Sequence, residues 1–107
     1  MYLVFVYGSL MKGGEGHDRI KDAIFIGDVT TKPKYRKVLL GKDYVGLDQG
    51  DEGVRGELYA VGIDKLKELD DYENDIYERG IVELTIGRTA FAYFLKNNQS
   101  KDETQVQ

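Results

Sequence analysis

The chain has 107 residues, 41% hydrophobic and 32% charged, a composition of ordinary folded domains that separates it from disordered and membrane-spanning chains. Its formal net charge is −4 and no run of Lys or Arg exceeds two residues, so it lacks the basic stripe that a nucleic-acid partner requires. With no cysteine it has no disulfide, thiolate metal site or catalytic thiol, which suits a reducing compartment. A chain of this size buries roughly 60 to 70% of the surface its unfolded form exposes, enough for one modest core, so a functional site is expected at that core's edge.

Tyr2-Leu3-Val4-Phe5-Val6 is β-branched and aromatic without a polar break, the pattern of a central strand buried on both faces. This apolar run is too short for a signal-peptide core and has no basic leader, and nothing approaches a membrane span, so a cytoplasmic location is expected. The strand leads into Tyr7-Gly8-Ser9-Leu10 and Gly13-Gly14-Glu15-Gly16, a glycine-rich loop where the backbone can turn freely and come close to a ligand. His17 to Asp22 suits one helical turn, Ala23 to Val29 a second strand, and Tyr35 to Leu40 a third. Gly41 to Gly53, with four glycines and several aspartates, is expected to be a turn-rich connection.

Val54 to Val61 sets Val54, Gly56, Leu58 and Ala60 against Arg55, Glu57, Tyr59 and Val61, the alternation of a fourth strand. From Ile63 to Tyr72 the period changes: Ile63, Leu66 and Leu69 recur every three residues, and Asp64 is placed to cap the first turn of a helix. Strands from Glu78 to Ile86 and Thr89 to Lys96 follow, joined by Gly87-Arg88 in the Gly-X form of a tight type II′ hairpin. The polar tail, Asn97 to Gln107, has no periodic apolar face and is expected to be mobile. The expected fold is α+β: a small mixed sheet that curls towards a barrel, with one main helix over about 63–73. Residues 1–96 form a single domain in this reading and 97–107 a tail.

If the helix runs one residue past Tyr72, Glu73 falls four positions after Leu69 and seven after Leu66, on the stripe that faces the core. Desolvation there raises a carboxyl's pKa above about 4.3, towards the range where it accepts and returns a proton near neutrality. If the helix stops at Tyr72, Glu73 is instead a solvated turn residue or an ordinary partner for Arg79. Asp71, Glu73 and Asp75 have the spacing of the first three ligands of a calcium loop. Ile76 and Val82 stand where such a loop needs glycine and a bidentate glutamate, so no metal is expected.

The glycine-rich loop matches neither GxGxxG nor GxxxxGK[ST], which argues against a nucleotide. The backbone N–H groups around Gly8, Ser9 and Leu10 are suited to a carboxylate or a developing oxyanion, although the same residues also suit a plain tight turn. Ser9 and His17 offer a nucleophile and a base, but without the G-x-S-x-G elbow a surface histidine is the simpler reading. Tyr7, Tyr59, Tyr72, Tyr77 and Tyr93 suit half-buried sheet positions, one or two of them lining a pocket.

Taken together, VYGSL, GELYAV and LDDYENDIYERGIVEL resemble the γ-glutamylcyclotransferase-like superfamily, in its small γ-glutamylamine cyclotransferase branch, over residues 2 to 95. The resemblance implies that Tyr7, Gly8, Ser9 and Leu10 bind the glutamyl part of a small γ-glutamyl substrate and that Glu73 is the general acid/base. It also implies release of 5-oxoproline and a free amine without a cofactor. This chain departs from many relatives in lacking a proline between Gly41 and Gly53 and in having a short loop between Glu73 and Tyr77. The alternative is a binding module of the same fold that holds a small carboxylated metabolite or a partner's terminus without chemistry.

Overall fold

The computed structural model describes residues 1–40, 44–73 and 75–96. In chain order the elements are β1 (Tyr2–Val6), a short 3-10 turn (His17–Arg19), β2 (Ile24–Thr30), β3 (Tyr35–Leu40), β4 (Tyr44–Gln49), β5 (Arg55–Val61), α1 (Ile63–Glu73), β6 (Tyr77–Glu83) and β7 (Thr89–Leu95). Five strands form one sheet in the order β2-β5-β1-β7-β6, and β3 and β4 form a second of two strands.

The unbroken apolar run of β1 fits its place at the centre of the larger sheet. It pairs antiparallel with β5, Val4 opposite Tyr59, and parallel with β7, Val4 opposite Phe91. Alternation along the strand sends Val4 and Val6 into a core shared with Leu66 and Leu69 of α1, while Phe5 enters a second core with Leu47, Leu58 and Val82. Both faces are therefore covered, by the helix on one side and the small sheet on the other.

The sheet curls until its two edge strands meet at one corner. Thr31, just past β2, bridges Leu84, just past β6. Thr85 N–H donates to the Thr30 carbonyl and Lys32 N–H to the Glu83 carbonyl, both at 2.9 Å. The larger sheet does not close beyond this corner into a barrel, so the expected curl is present and the barrel is not.

Two local expectations are corrected. The region from Gly41 to Gly53 is not all turn, since β4 lies within it and pairs with β3 from Tyr35 opposite Gln49 to Leu40 opposite Tyr44. Its glycine at 46 serves close approach rather than turning: a Cβ there would lie 2.4 Å from the Leu95 side chain of β7. The β6–β7 hairpin is not a two-residue type II′ turn. Gly87 N–H donates to the Leu84 carbonyl at 3.1 Å, Leu84 N–H to the Arg88 carbonyl at 2.8 Å, and Gly87 has φ +84°. This is a three-residue loop, Thr85 to Gly87, with the glycine in the left-handed position after the turn, and β6 accordingly ends at Glu83.

Helix α1 buries Leu66 and Leu69 and leaves Ile63 exposed at its start. Asp64 lies inside the first turn, where its charge suits the positive end of the helix. Among the described residues no helix is long and apolar enough to cross a membrane. The mobility expected of 97–107 concerns residues outside those described.

Candidate active site

At the end of β1 the chain turns sharply and stays on itself for nine residues. Met11 N–H donates to the Gly8 carbonyl at 3.0 Å, Gly14 N–H to Met11 at 2.8 Å and Gly16 N–H to Ser9 at 2.9 Å. A Cβ on Gly14 would sit 2.2 Å from the Ser9 carbonyl oxygen, so the loop can fold back this tightly only with glycine there. His17 pins the loop from below, its Nδ1 2.9 Å from the Leu10 carbonyl. Among the described residues, no protein acceptor meets the N–H groups of Gly8, Ser9 and Leu10.

Facing this turn are the end of α1 and the start of β6, and between them lies a cavity of about 480 Å³. Tyr7, Gly8, Ser9 and Leu10 line it together with Glu73, so the structure brings all five of the residues singled out from the sequence to one place. Tyr72, Tyr77 and Tyr93 complete much of the wall. The acidic side chains of the lining are Glu15, Glu73 and Asp75, and no Lys, Arg or His is among the described lining residues.

Helix α1 does continue past Tyr72, and Glu73 is its last residue. Burial pushes the Glu73 carboxyl up to about 7, with the positive charge of Arg19 pulling in the opposite sense. Arg79 is not its partner; the guanidinium instead lies 3.6 Å from Asp70. The Arg19 guanidinium stacks 4.0 Å over the ring of Tyr72, close enough for its charge to bear on Glu73.

Asp70 does not line the cavity but braces its wall, a role the sequence did not reveal. It accepts the Tyr93 hydroxyl at 2.7 Å, and the Tyr93 carbonyl in turn accepts the Tyr7 hydroxyl at 2.5 Å. Burial is the main cause that raises both phenols far above an ordinary tyrosine; nearby Tyr77 and Glu73 add to it at Tyr7, and the bond to Asp70 adds to it at Tyr93. Both therefore stay protonated and act as donors at neutral pH. The signal for Asp70 was present: three residues before Glu73, it shares that face of the helix.

Glu57 was missed as well. It is 6% exposed and accepts Lys12 N–H at 3.0 Å and the Tyr59 hydroxyl at 2.9 Å. Strand alternation had already set it on the same face as Tyr59 and Val61, both buried. Among the described residues no hydrogen bond joins Ser9 to His17, and the imidazole is half-buried with Nδ1 against the Leu10 carbonyl rather than standing at the surface.

Residues 4–107 match the model of the family described as gamma-glutamyl cyclotransferase, AIG2-like. The chain belongs to that family. A Vibrio cholerae protein with the provisional name gamma-glutamylcyclotransferase is 39% identical over 95 residues, covering 86% of this chain and 80% of that protein. The human protein named gamma-glutamylaminecyclotransferase is 32% identical over 97 residues, covering 80% of this chain and 63% of its own length. Among solved structures, a mouse AIG2-like protein superposes with a TM-score of 0.77 at 29% identity, covering 88% of this chain and 76% of that one. For a member of the AIG2-like family, a small γ-glutamyl molecule is the fitting class of ligand.

Proposed function

We propose that this chain is a γ-glutamylamine cyclotransferase, which cleaves a γ-glutamyl amide by attack of the substrate's own α-amino group. The observation that carries the reading is Glu73. Its carboxyl is raised to about 7 and opens onto a cavity opposite three backbone N–H groups that have no acceptor among the described residues.

The bond that forms joins the α-nitrogen to the side-chain carbonyl carbon and closes the five-membered ring of 5-oxoproline. The bond that breaks joins that carbon to the amine nitrogen. Two protons leave the α-ammonium and both end on the departing amine, so one carboxylate that takes each proton and passes it on is sufficient. A pKa near 7 suits this double duty, because such a group gives up and regains a proton at little cost near neutrality. Water and cofactor take no part. The catalyst's remaining task is to hold the reacting atoms about 3 to 3.5 Å apart. The N–H groups of Gly8, Ser9 and Leu10 are suited to that task by gripping the α-carboxylate or the tetrahedral oxygen.

The test is release of 5-oxoproline from a panel of γ-glutamyl amines and γ-glutamyl amino acids, with wild type and Glu73→Gln side by side. Product from wild type, with little or none from the variant, is the expected result. Absence of product from every folded sample would move the assignment to a binding module, and a ligand retained in the cavity would then be sought.

A further inference from the structure

Glu57 does not line the cavity, and the proposed chemistry gives it no proton to move. Yet it is a carboxylate on the buried face of a central strand, paired across to Val6, the last residue of β1. Burying such a group is unfavourable unless its bonds offset the loss of water. Tyr59, whose hydroxyl is pushed up to about 12 by burial and by Glu57, keeps its proton and supplies one bond. The other comes from the backbone of Lys12, the residue that follows the Gly8–Met11 turn.

The cavity itself gives this clamp a purpose. With Glu15, Glu73 and Asp75 as its charged lining and no described cationic side chain, a substrate carboxylate finds no ion partner there. Backbone N–H groups of the turn are then fitting donors, alongside the hydroxyls of Ser9 and Tyr72 that also line the cavity, and such N–H groups hold an anion well only when their directions are fixed beforehand. His17 and Gly16 brace the loop from within itself, through Leu10 and Ser9. Glu57 ties it to the main sheet.

We propose that Glu57 is a positioning residue: it clamps the end of the glycine-rich turn to β5 and thereby holds the Gly8, Ser9 and Leu10 N–H groups as a cradle for the α-carboxylate of a γ-glutamyl substrate. The inference rests on the γ-glutamyl reading of the cavity. It assigns those donors to ground-state binding, so losing the clamp should raise KM and leave kcat largely unchanged.

The experiment compares Glu57→Leu, Glu57→Asp and Glu57→Gln with wild type, on the γ-glutamyl amide that wild type turns over fastest. Amide hydrogen exchange over residues 8–12 is measured in parallel without substrate. Leucine removes the one oxygen, Oε1, that accepts both bonds, and aspartate withdraws that oxygen from Lys12 while keeping the carboxyl group. Each should raise KM about 10-fold, the size of one lost hydrogen bond, with kcat within about 3-fold, and should speed exchange in the loop. Glutamine offers the same acceptor oxygen and should stay within about 3-fold of wild type in both constants. Where leucine prevents folding, aspartate decides. An unchanged KM in a folded leucine or aspartate variant overturns the proposal. So does a glutamine variant as impaired as the leucine one, or a fall in kcat with KM kept. If wild type releases no 5-oxoproline, the cyclotransferase reading falls and the cradle's substrate with it; exchange that is faster in the leucine and aspartate variants would then still establish the clamp, and unchanged exchange would remove it too.

Discussion

The two walls of the cavity are built on opposite principles. The helix wall ends a regular amphipathic element, and the chemistry proposed for it rests on one side chain, Glu73, carried there by the stripe that buries Leu66 and Leu69. The turn wall has little regular structure, and what it offers a ligand is its backbone, folded tightly enough that Gly14 lies against the Ser9 carbonyl. A wall made of one side chain should be sensitive to that side chain and tolerant elsewhere. A wall made of backbone should tolerate changes of side chain and fail when the path of the chain is disturbed.

The largest expected effect is at Glu73. Glu73→Gln keeps the shape of the helix end and removes the proton carrier, so kcat should fall by about 10²-fold or more while KM stays near that of wild type. In wild type, kcat/KM should rise with pH through about 7, as the raised carboxyl loses its proton and becomes the base that attack requires. A rate already flat between pH 6 and 8 would mean that another group sets the protonation state. A folded glutamine variant with normal turnover would remove Glu73 from the mechanism altogether.

The turn wall should respond the other way. Gly14→Ala places a methyl group where the Ser9 carbonyl oxygen now lies, so the loop must open; KM should rise at least about 10-fold and stability should fall by about 1 to 3 kcal/mol. Ser9→Ala, although the hydroxyl lines the same cavity, should change either constant by less than about 3-fold, because the grip is assigned to the backbone. If alanine at Ser9 proved as damaging as glutamine at Glu73, the two walls would not differ as argued, and the serine hydroxyl would have to enter the chemistry.

How far each wall could be read from the sequence follows from the same contrast. The helix wall was legible because periodicity is local: Leu66, Leu69 and Glu73 fall on one stripe whatever they pack against. β1 was legible for a similar reason, being an unbroken apolar run rich in β-branched and aromatic residues. Features whose meaning depends on distant partners were not. Gly46 looked like part of a turn, and only its contact with Leu95 explains a glycine inside β4. Gly87 suits a type II′ turn as well as the left-handed position it occupies, and only the bonds from Gly87 to Leu84 and from Leu84 to Arg88 separate the two. Asp70 and Glu57 were visible as acids on buried faces, but their roles rest on Tyr93 and on Lys12, which the chain brings near from far along its length.

Asp70 marks where the helix wall depends on its supports. Asp70→Ala would leave the Tyr93 hydroxyl without its acceptor and Arg79 without its ion partner. The bond accounts for about 1 to 2 kcal/mol, whereas the half-exposed ion pair accounts for under about 1 kcal/mol. Thermal unfolding should show that loss, and Asp70→Asn, which keeps an acceptor for Tyr93, should recover most of it. Equal losses in the two variants would shift the weight from the hydrogen bond to the ion pair.

The last expected effect on stability has the opposite sign from the rest and separates catalysis from stability at Glu73. Its folded pKa of about 7 lies above the ordinary value of 4.5, so between those values the folded protein binds more protons than the unfolded one. Stability is then lost as pH rises from about 4.5 to about 7, and above that range the charged carboxylate is a fixed burden on the fold. The full shift would correspond to about 3 kcal/mol, and partial exposure to solvent reduces it to about 1 to 2 kcal/mol. Glu73→Gln should therefore be more stable than wild type at pH 8 and indistinguishable from it near pH 4. Unfolding in denaturant at the two pH values measures this directly. A glutamine variant that gains nothing at pH 8 would mean that the carboxylate is adequately solvated or paired in the native state; the rise in rate near pH 7 would then need another group, and the contrast between a side-chain wall and a backbone wall would lose its physical basis.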